Sequence, residues 1–484
     1  METKRNLTGR EKAGYGLGAV AKDMVYMLSA SYVLYYFQDI MGVNAIAMGI
    51  ILLGARIFDA FNDPIMGVIV AKTKTRFGKF RPWLLIGTLT NAVVLYLMFA
   101  CPPSLDGAGL TAYAAVTYIL WGVTYTMMDI PFWSMIPAFT KGGKEREGLT
   151  TLARSCSGVG SALIQIFAIA AVQAIGKAVG GSNANEIERL GFQWLSLVVA
   201  IIFVVFIVIT VLSIKEKSTV DMEAASLKDM FASLIHNDQA MAIVVTIVLV
   251  DIAMYITSNL VIYFFKYDLG GTAWFADYTW FNTIAGGSQI LAMMILYPVM
   301  RNALKLANTK IFYCGLTMSV IGYGILLACA SLGCKTLFVF IIPGVFIMAA
   351  SGMNNILITI FLANTVDYGE ITNGRRDESV IFSMQTFVVK LSSGVAAFVA
   401  SITLGALKLS SAAVKDEDKV VDFSKNVDLA QRSGLRMVMT VIPILVLIVA
   451  FVWFKAKYKL NDEKVLELAE QVTKLHENEK QADA

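Results

Sequence analysis

Apolar stretches of about 20 residues recur along this chain, and a run of that length crosses the hydrocarbon core of a bilayer as a helix. Twelve such helices are expected, over 13–38, 44–71, 82–101, 109–137, 149–176, 192–214, 240–265, 275–299, 311–331, 336–363, 379–407 and 435–455. Composition agrees: charged residues are only 16% and hydrophobic residues 57%, with a mean hydropathy of +0.66. Soluble domains carry about 25% charged residues, so this chain could not cover a water-facing surface. The expectation is an all-α polytopic membrane protein of two six-helix bundles. Its parts are an N-terminal bundle over 1–214, a central cytoplasmic loop over 215–239, a C-terminal bundle over 240–455 and a cytoplasmic tail over 456–484. No clear sequence repeat links the halves.

The same arithmetic excludes other classes. A net charge of +4 creates no field that would recruit a polyanion, so nucleic-acid binding is set aside. The five cysteines form no C-x-x-C pair and read as reduced packing residues. The two histidines, His236 and His476, lie in polar segments, which speaks against a histidine-ligated metal or a Ser-His-Asp centre. No cofactor is expected, and the chain is not expected to be an enzyme. The first apolar segment contains Lys22 and Asp23, so it reads as a retained helix rather than a cleaved leader.

Lys and Arg counts set orientation. They concentrate in the leader (Lys4, Arg5, Arg10, Lys12) and after helix 2 (Lys72, Lys74, Arg76, Lys79, Arg81), whereas the loops after helices 1 and 3 have none. Both termini are therefore expected in the cytoplasm. A basic cluster between Lys408 and Arg432 runs against the pattern. In the tail, Val465, Leu468, Val472 and Leu475 recur at helical spacing, as in a short amphipathic helix.

Charges inside the spans carry the functional signal. One near the bilayer centre costs roughly 2.5–3.5 kcal/mol even on insertion scales, so each must face the protein interior or a water-filled cavity. Helix 2 reads Arg56-Ile57-Phe58-Asp59-Ala60-Phe61-Asn62-Asp63-Pro64. Asp59 and Asp63, four apart, share one face about 40° apart. Two close carboxylates either share a proton or gain a cation between them. A hard monovalent cation favours an all-oxygen cage, to which Asn62 adds a carbonyl. Arg56 could compensate the pair when no cation is bound. On helix 4, Tyr125, Asp129 and Trp133 form one stripe, with Thr126 on the adjoining line. A carboxylate beside an indole suits a sugar: one accepts from hydroxyls, the other covers the apolar ring face. Lys22, Asp23 and Tyr26 on helix 1 and Arg154 on helix 5 are further candidates, Arg154 pairing with Asp129 or Asp23 or forking to vicinal hydroxyls. Lys390 is a late interior charge, and Asp251 receives no role.

The runs DAFNDPIMGVIVAKTKTRFGKFRPW (59–83), YTMMDIPFWSMIP (125–137) and NTVDYGEI with QTFVVK (364–390) resemble the glycoside–pentoside–hexuronide:cation symporters of the major facilitator superfamily, bacterial melibiose permeases above all. The resemblance spans helices 1 to 12 and implies the twelve-helix major facilitator fold. It implies that Asp59 and Asp63 bind the coupling cation with Asn62 and Thr126. It also implies that Asp23, Asp129 and Arg154 bind glycosyl hydroxyls, that Trp133 stacks on the ring, and that Lys22 and Tyr125 line the pocket. Lys390, with Thr386 one turn before, matches an interior lysine, and Asp367 and Tyr368 match a cytoplasmic-side gate. The chain departs from melibiose permeases at Asn355 and Asn364, where they carry tryptophan and aspartate.

The expected function is alternating-access symport of a glycoside, a galactoside such as melibiose, with Na+, Li+ or H+, by a monomer in the bacterial inner membrane. Rivals are a hexuronide or pentoside symporter, an uncoupled facilitator, and an intramembrane enzyme with an aspartate dyad. The dyad fits poorly, because both acids share one helix.

Overall fold

A computed structural model describes residues 7–136, 143–214, 235, 237–373, 378–409, 422–468 and 470–471. Twelve long helices make up nearly all of what is described: α1 (Gly9–Leu34), α2 (Ala45–Lys72), α3 (Arg81–Phe99), α4 (Gly107–Ser134), α5 (Gly143–Ala178), α6 (Ala184–Ser213), α7 (Asp238–Tyr263), α8 (Trp274–Leu291), α9 (Asn308–Ser331), α10 (Leu337–Asn373), α11 (Glu378–Ala406) and α12 (Leu429–Lys457). Ten helical stretches are long and apolar enough to cross a membrane. The exceptions, α1 and α4, are the helices that carry Lys22, Asp23 and Asp129. The fold is thus that of a multi-pass membrane protein.

Local chemistry sets the ends. Thr8 and Glu11 form a capping box that starts α1, and Asp428 with Gln431 does the same for α12. Asn44, Asn183 and Asn237 cap α2, α6 and α7. The helices outrun the apolar stretches. For example, α10 continues to Asn373, ten residues past its expected end, because hydropathy marks only the part in lipid. The central loop 215–239 falls largely outside the described residues, as do Val472 and Leu475; Val465 and Leu468 lie in a short helical segment.

Each helix divides its surface between lipid and protein. On α2, Ile46, Ile50, Ile57, Phe61 and Ile65 are exposed at helical spacing, while Arg56 and Asp59 are buried. In lipid, exposed isoleucine is the correct surface, since hydrocarbon takes the place of water. Helices approach closely where a small residue permits: a Cβ on Gly160 of α5 would lie 2.0 Å from the Val20 carbonyl oxygen of α1. A second such contact, Gly16 of α1 against Cys156 of α5, fixes the two helices side by side.

The chain forms two compact units. The first holds residues 1–224 together with 265–279 and 397–427; the second holds 225–264, 280–396 and 428–484. The second half of the sequence therefore lends two segments to the first unit.

A local repeat, absent from the sequence reading, emerges at the ends of α1 and α7. Both run on into a π-helical turn, Tyr35–Ile40 and Phe264–Leu269. Both then stop at a glycine with positive φ, Gly42 at 80° and Gly270 at 72°. Aligned on those glycines, Val33-Leu34-Tyr35-Tyr36-Phe37 matches Val261-Ile262-Tyr263-Phe264-Phe265. It covers ten residues only, too short to stand out against a background of apolar helices.

Candidate functional site

The interior charges of the first unit that the sequence singled out lie on α1, α2, α4 and α5. Lys22 is the hub. Its ammonium lies 2.7 Å from Asp23 and 2.8 Å from Asp129, and it donates to the Tyr125 hydroxyl at 3.3 Å. Sequence reasoning gave Lys22 a lining role and offered Arg154 as the partner of Asp129 or Asp23. The structure puts Lys22 in that position, because it projects from α1 directly between the two acids. Arg154 instead lies over the Trp133 indole, 4.1 Å from the ring centre, and Lys22 is 5.1 Å from it. Two cations therefore gather on the one indole.

This cluster is open. Lys22 is 5% exposed at its side chain, but Asp23 and Asp129 are 20% and 30% exposed. Asp129 Oδ1 is itself buried against the Lys22 ammonium, so the exposed part of the side chain lies away from that contact. There the carboxylate can accept from an incoming hydroxyl.

The acid pair of α2 adjoins it. Arg56 meets Asp59 at 3.4 Å, and Thr126 of α4 donates to Asp63 at 2.9 Å. Asn62 has a buried side-chain NH2 without a partner. Three of the residues expected around a cation, Asp59, Asp63 and Thr126, therefore meet at the α2–α4 contact, with Asn62 on the same helix as the acids and Arg56 compensating one of them. Aromatic rings link the two sets: Tyr26 is 5.6 Å from Tyr125 and 6.2 Å from Trp121, and the Arg56 guanidinium is 6.0 Å from the Tyr26 ring.

Sequence reasoning missed Gly122 and Trp121. A Cβ on Gly122 would lie 2.8 Å from Asp59 Oδ1, so glycine there lets the carboxylate reach α4. Trp121 stacks between Tyr118 and Tyr125 with its indole NH buried and unpartnered. Both precede the Tyr125–Asp129–Trp133 stripe, and only the packing of α2 on α4 reveals them.

The other expected residues belong to the second unit. Asp367 and Tyr368 lie on α10. Thr386 and Lys390 lie one turn apart on α11, and Ser393 donates to the Lys390 carbonyl.

With this geometry established, similarity to known proteins becomes informative. Residues 14–462 match the family described as MFS/sugar transport protein. The chain is 28% identical over 399 residues to the isoprimeverose transporter of Lactiplantibacillus pentosus, covering 82% of this chain and 80% of that one. It is 26% identical over 470 residues to a glucuronide carrier protein homolog of Escherichia coli (strain K12), covering 97% and 96%. Among solved structures it superposes on one from a study of proton dependent oligopeptide transporters with a TM-score of 0.64 at 14% identity, covering 95% and 99%, which shows the shared fold.

Proposed function

Because the chain belongs to the MFS/sugar transport protein family, the glycoside–pentoside–hexuronide group, we propose that it carries a glycoside across the membrane together with a monovalent cation, Na+ before Li+ or H+. It is a membrane transporter and not an enzyme. The proposed sugar is a galactoside such as melibiose, moved by alternating access through a monomer in the bacterial inner membrane with both termini cytoplasmic.

One observation carries this reading: α4 contributes to both charge sets at once. Thr126 reaches the α2 acid pair, and Asp129, one turn on, reaches the Lys22 hub. A cation joining Asp59 and Asp63 with Asn62 and Thr126 frees Arg56 from compensating them and fixes α2 against α4. That same contact presents Asp129. Sugar then binds to Asp23, Asp129 and Arg154, with Trp133 covering its ring and Lys22, Tyr26 and Tyr125 lining the pocket. Linkage requires each ligand to tighten the other by the same factor. A cation moving inward gains about 2.3 kcal/mol per 100 mV, enough to concentrate a neutral sugar. Asp367, Tyr368, Thr386 and Lys390 complete the coupling in the second unit.

Two cations beside the sugar acids, Lys22 and Arg154, favour a second reading in which the substrate is a hexuronide. Uptake of labelled α- and β-galactosides into membrane vesicles, with Na+, Li+ or a pH gradient imposed separately and a glucuronide as competitor, tests both. Galactoside accumulation driven by Na+ supports the first. Accumulation only of the glucuronide selects the second, and uptake indifferent to every ion removes coupling altogether.

A further inference from the structure

A second charged cluster lies in the first unit, at the opposite end of α1 from the N-terminus, and neither the ion nor the sugar uses it. Lys266, in the π-helical turn after α7, places its ammonium 2.9 Å from Asp39, 3.2 Å from Glu188 and 2.6 Å from the Tyr35 hydroxyl. Tyr267 donates to the other oxygen of Asp39. All three charges are shut away from solvent, at 0% exposure for Lys266 and Asp39 and 3% for Glu188. Rings close over the ammonium, Phe423 at 4.4 Å, Tyr35 at 4.8 Å and Trp274 at 5.4 Å.

The chain's topology gives this cluster its meaning. Residues 265–279 join two stretches of the second unit, 225–264 and 280–396, yet they pack in the first. From this segment Lys266 bonds to acids of the π-helical turn after α1 and of α6. The other borrowed segment, 397–427, is fastened in the same region. The Gln38 amide donates to the Ser401 carbonyl at 3.3 Å, the Ser401 hydroxyl lies within hydrogen-bond reach of the Ala45 carbonyl, and Asp422 accepts from the Gly271 amide at 2.9 Å. Aligned on Gly42 and Gly270, Gln38 and Lys266 occupy matching places.

We propose that Lys266, Asp39 and Glu188 form a conformational latch, holding 265–279 in the first unit in this state and releasing it in the alternating cycle. The residues are positioning residues, acting on access rather than on sugar or cation. A buried ion pair suits a latch better than an apolar contact of equal area. Its partners have strongly directional bonds when together, and each regains hydration when parted, so the two states are discrete. The proposal rests on the transport reading only in requiring a cycle with two access states.

The test reads access without sugar or ion. A single reporter, Leu269→Cys, is placed in a chain whose five native cysteines are replaced; Leu269 is buried in the latched state. Its labelling by a membrane-impermeant maleimide is timed in right-side-out and inside-out vesicles. Two latch variants are compared: Asp39→Asn, and the neutral triple Lys266→Met with Asp39→Asn and Glu188→Gln, which leaves no buried charge stranded. The expected result is slow labelling in the parent and roughly tenfold faster labelling in both variants, from the face opposite the N-terminus only. Equal rates in parent and variants overturn the latch. So does failure of both variants to reach the membrane, since a latch is removable and a structural pin is not. If labelling accelerates but no sugar is transported, the latch stands and the substrate assignment falls. Cation-driven galactoside uptake with unchanged labelling gives the reverse.

Discussion

Within one unit, two lysine-centred clusters use the same chemistry and differ in their surroundings. Lys22 stands between Asp23 and Asp129, Lys266 between Asp39 and Glu188. Around Lys22 the acids are 20% and 30% exposed, and two cations lie on one indole. Around Lys266 the acids are 0% and 3% exposed, hydroxyls of Tyr35 and Tyr267 fill their oxygens, and rings seal the rest. The difference separates two uses of buried charge. Acids with a path to solvent receive a ligand, whereas sealed ones hold chain to chain.

The contrast is broken most forcefully by Lys266→Met. It strands two buried acids, and removing one partner of a buried pair costs about 3–5 kcal/mol. Membrane abundance should collapse, as judged by quantitative immunoblotting. The matching change in the open cluster, Asp129→Asn, should leave abundance intact and abolish sugar binding in an equilibrium assay on purified protein. Asp63→Cys should remove cation stimulation of uptake while leaving measurable sugar binding. Thr126→Val deletes one hydrogen bond to a carboxylate, about 1.5–3 kcal/mol. The cation concentration for half-maximal uptake should rise by roughly tenfold or more.

The smallest effect sits in the loop beside the sealed cluster. Partial burial pushes the Asp422 carboxyl up, but hydrogen bonds from Ser424 and the Gly271 amide outweigh it and hold the group below the usual carboxylate range. A depressed acid stabilises the fold above its unfolded value and loses that contribution as pH falls through the folded one. Asp422→Asn should therefore lower the melting temperature near neutral pH, and variant and parent should converge in acid.

The open cluster was largely legible because its chemistry is local in sequence. Asp59, Asn62 and Asp63 lie on one helical face, and Tyr125, Asp129 and Trp133 on another, so spacing alone groups them. The bilayer makes each charge conspicuous. The roles of Lys22 and Arg154 were not legible, since the choice between two cations for the same acids depends on how α1 and α5 meet at Gly160. The sealed cluster was invisible for a different reason. Asp39, Glu188 and Lys266 are separated by up to 227 residues, and each sits where an apolar run ends. A charge there reads as one reaching for water at the membrane surface. Only the parallel endings of α1 and α7, with their shared glycines, hint that Lys266 turns inward. The helices themselves followed from hydropathy, except that polar extensions such as the end of α10 carry no such signal.

The central claim is that a cation at the α2 acid pair draws sugar to the neighbouring cluster. It is tested most directly by uptake of a labelled galactoside into vesicles under an imposed inward Na+ gradient, comparing the parent with Asp59→Cys. The account predicts accumulation against a gradient by the parent, and binding without Na+-driven accumulation by the variant. If Asp59→Cys still concentrates sugar in response to Na+, the ion does not act at this pair.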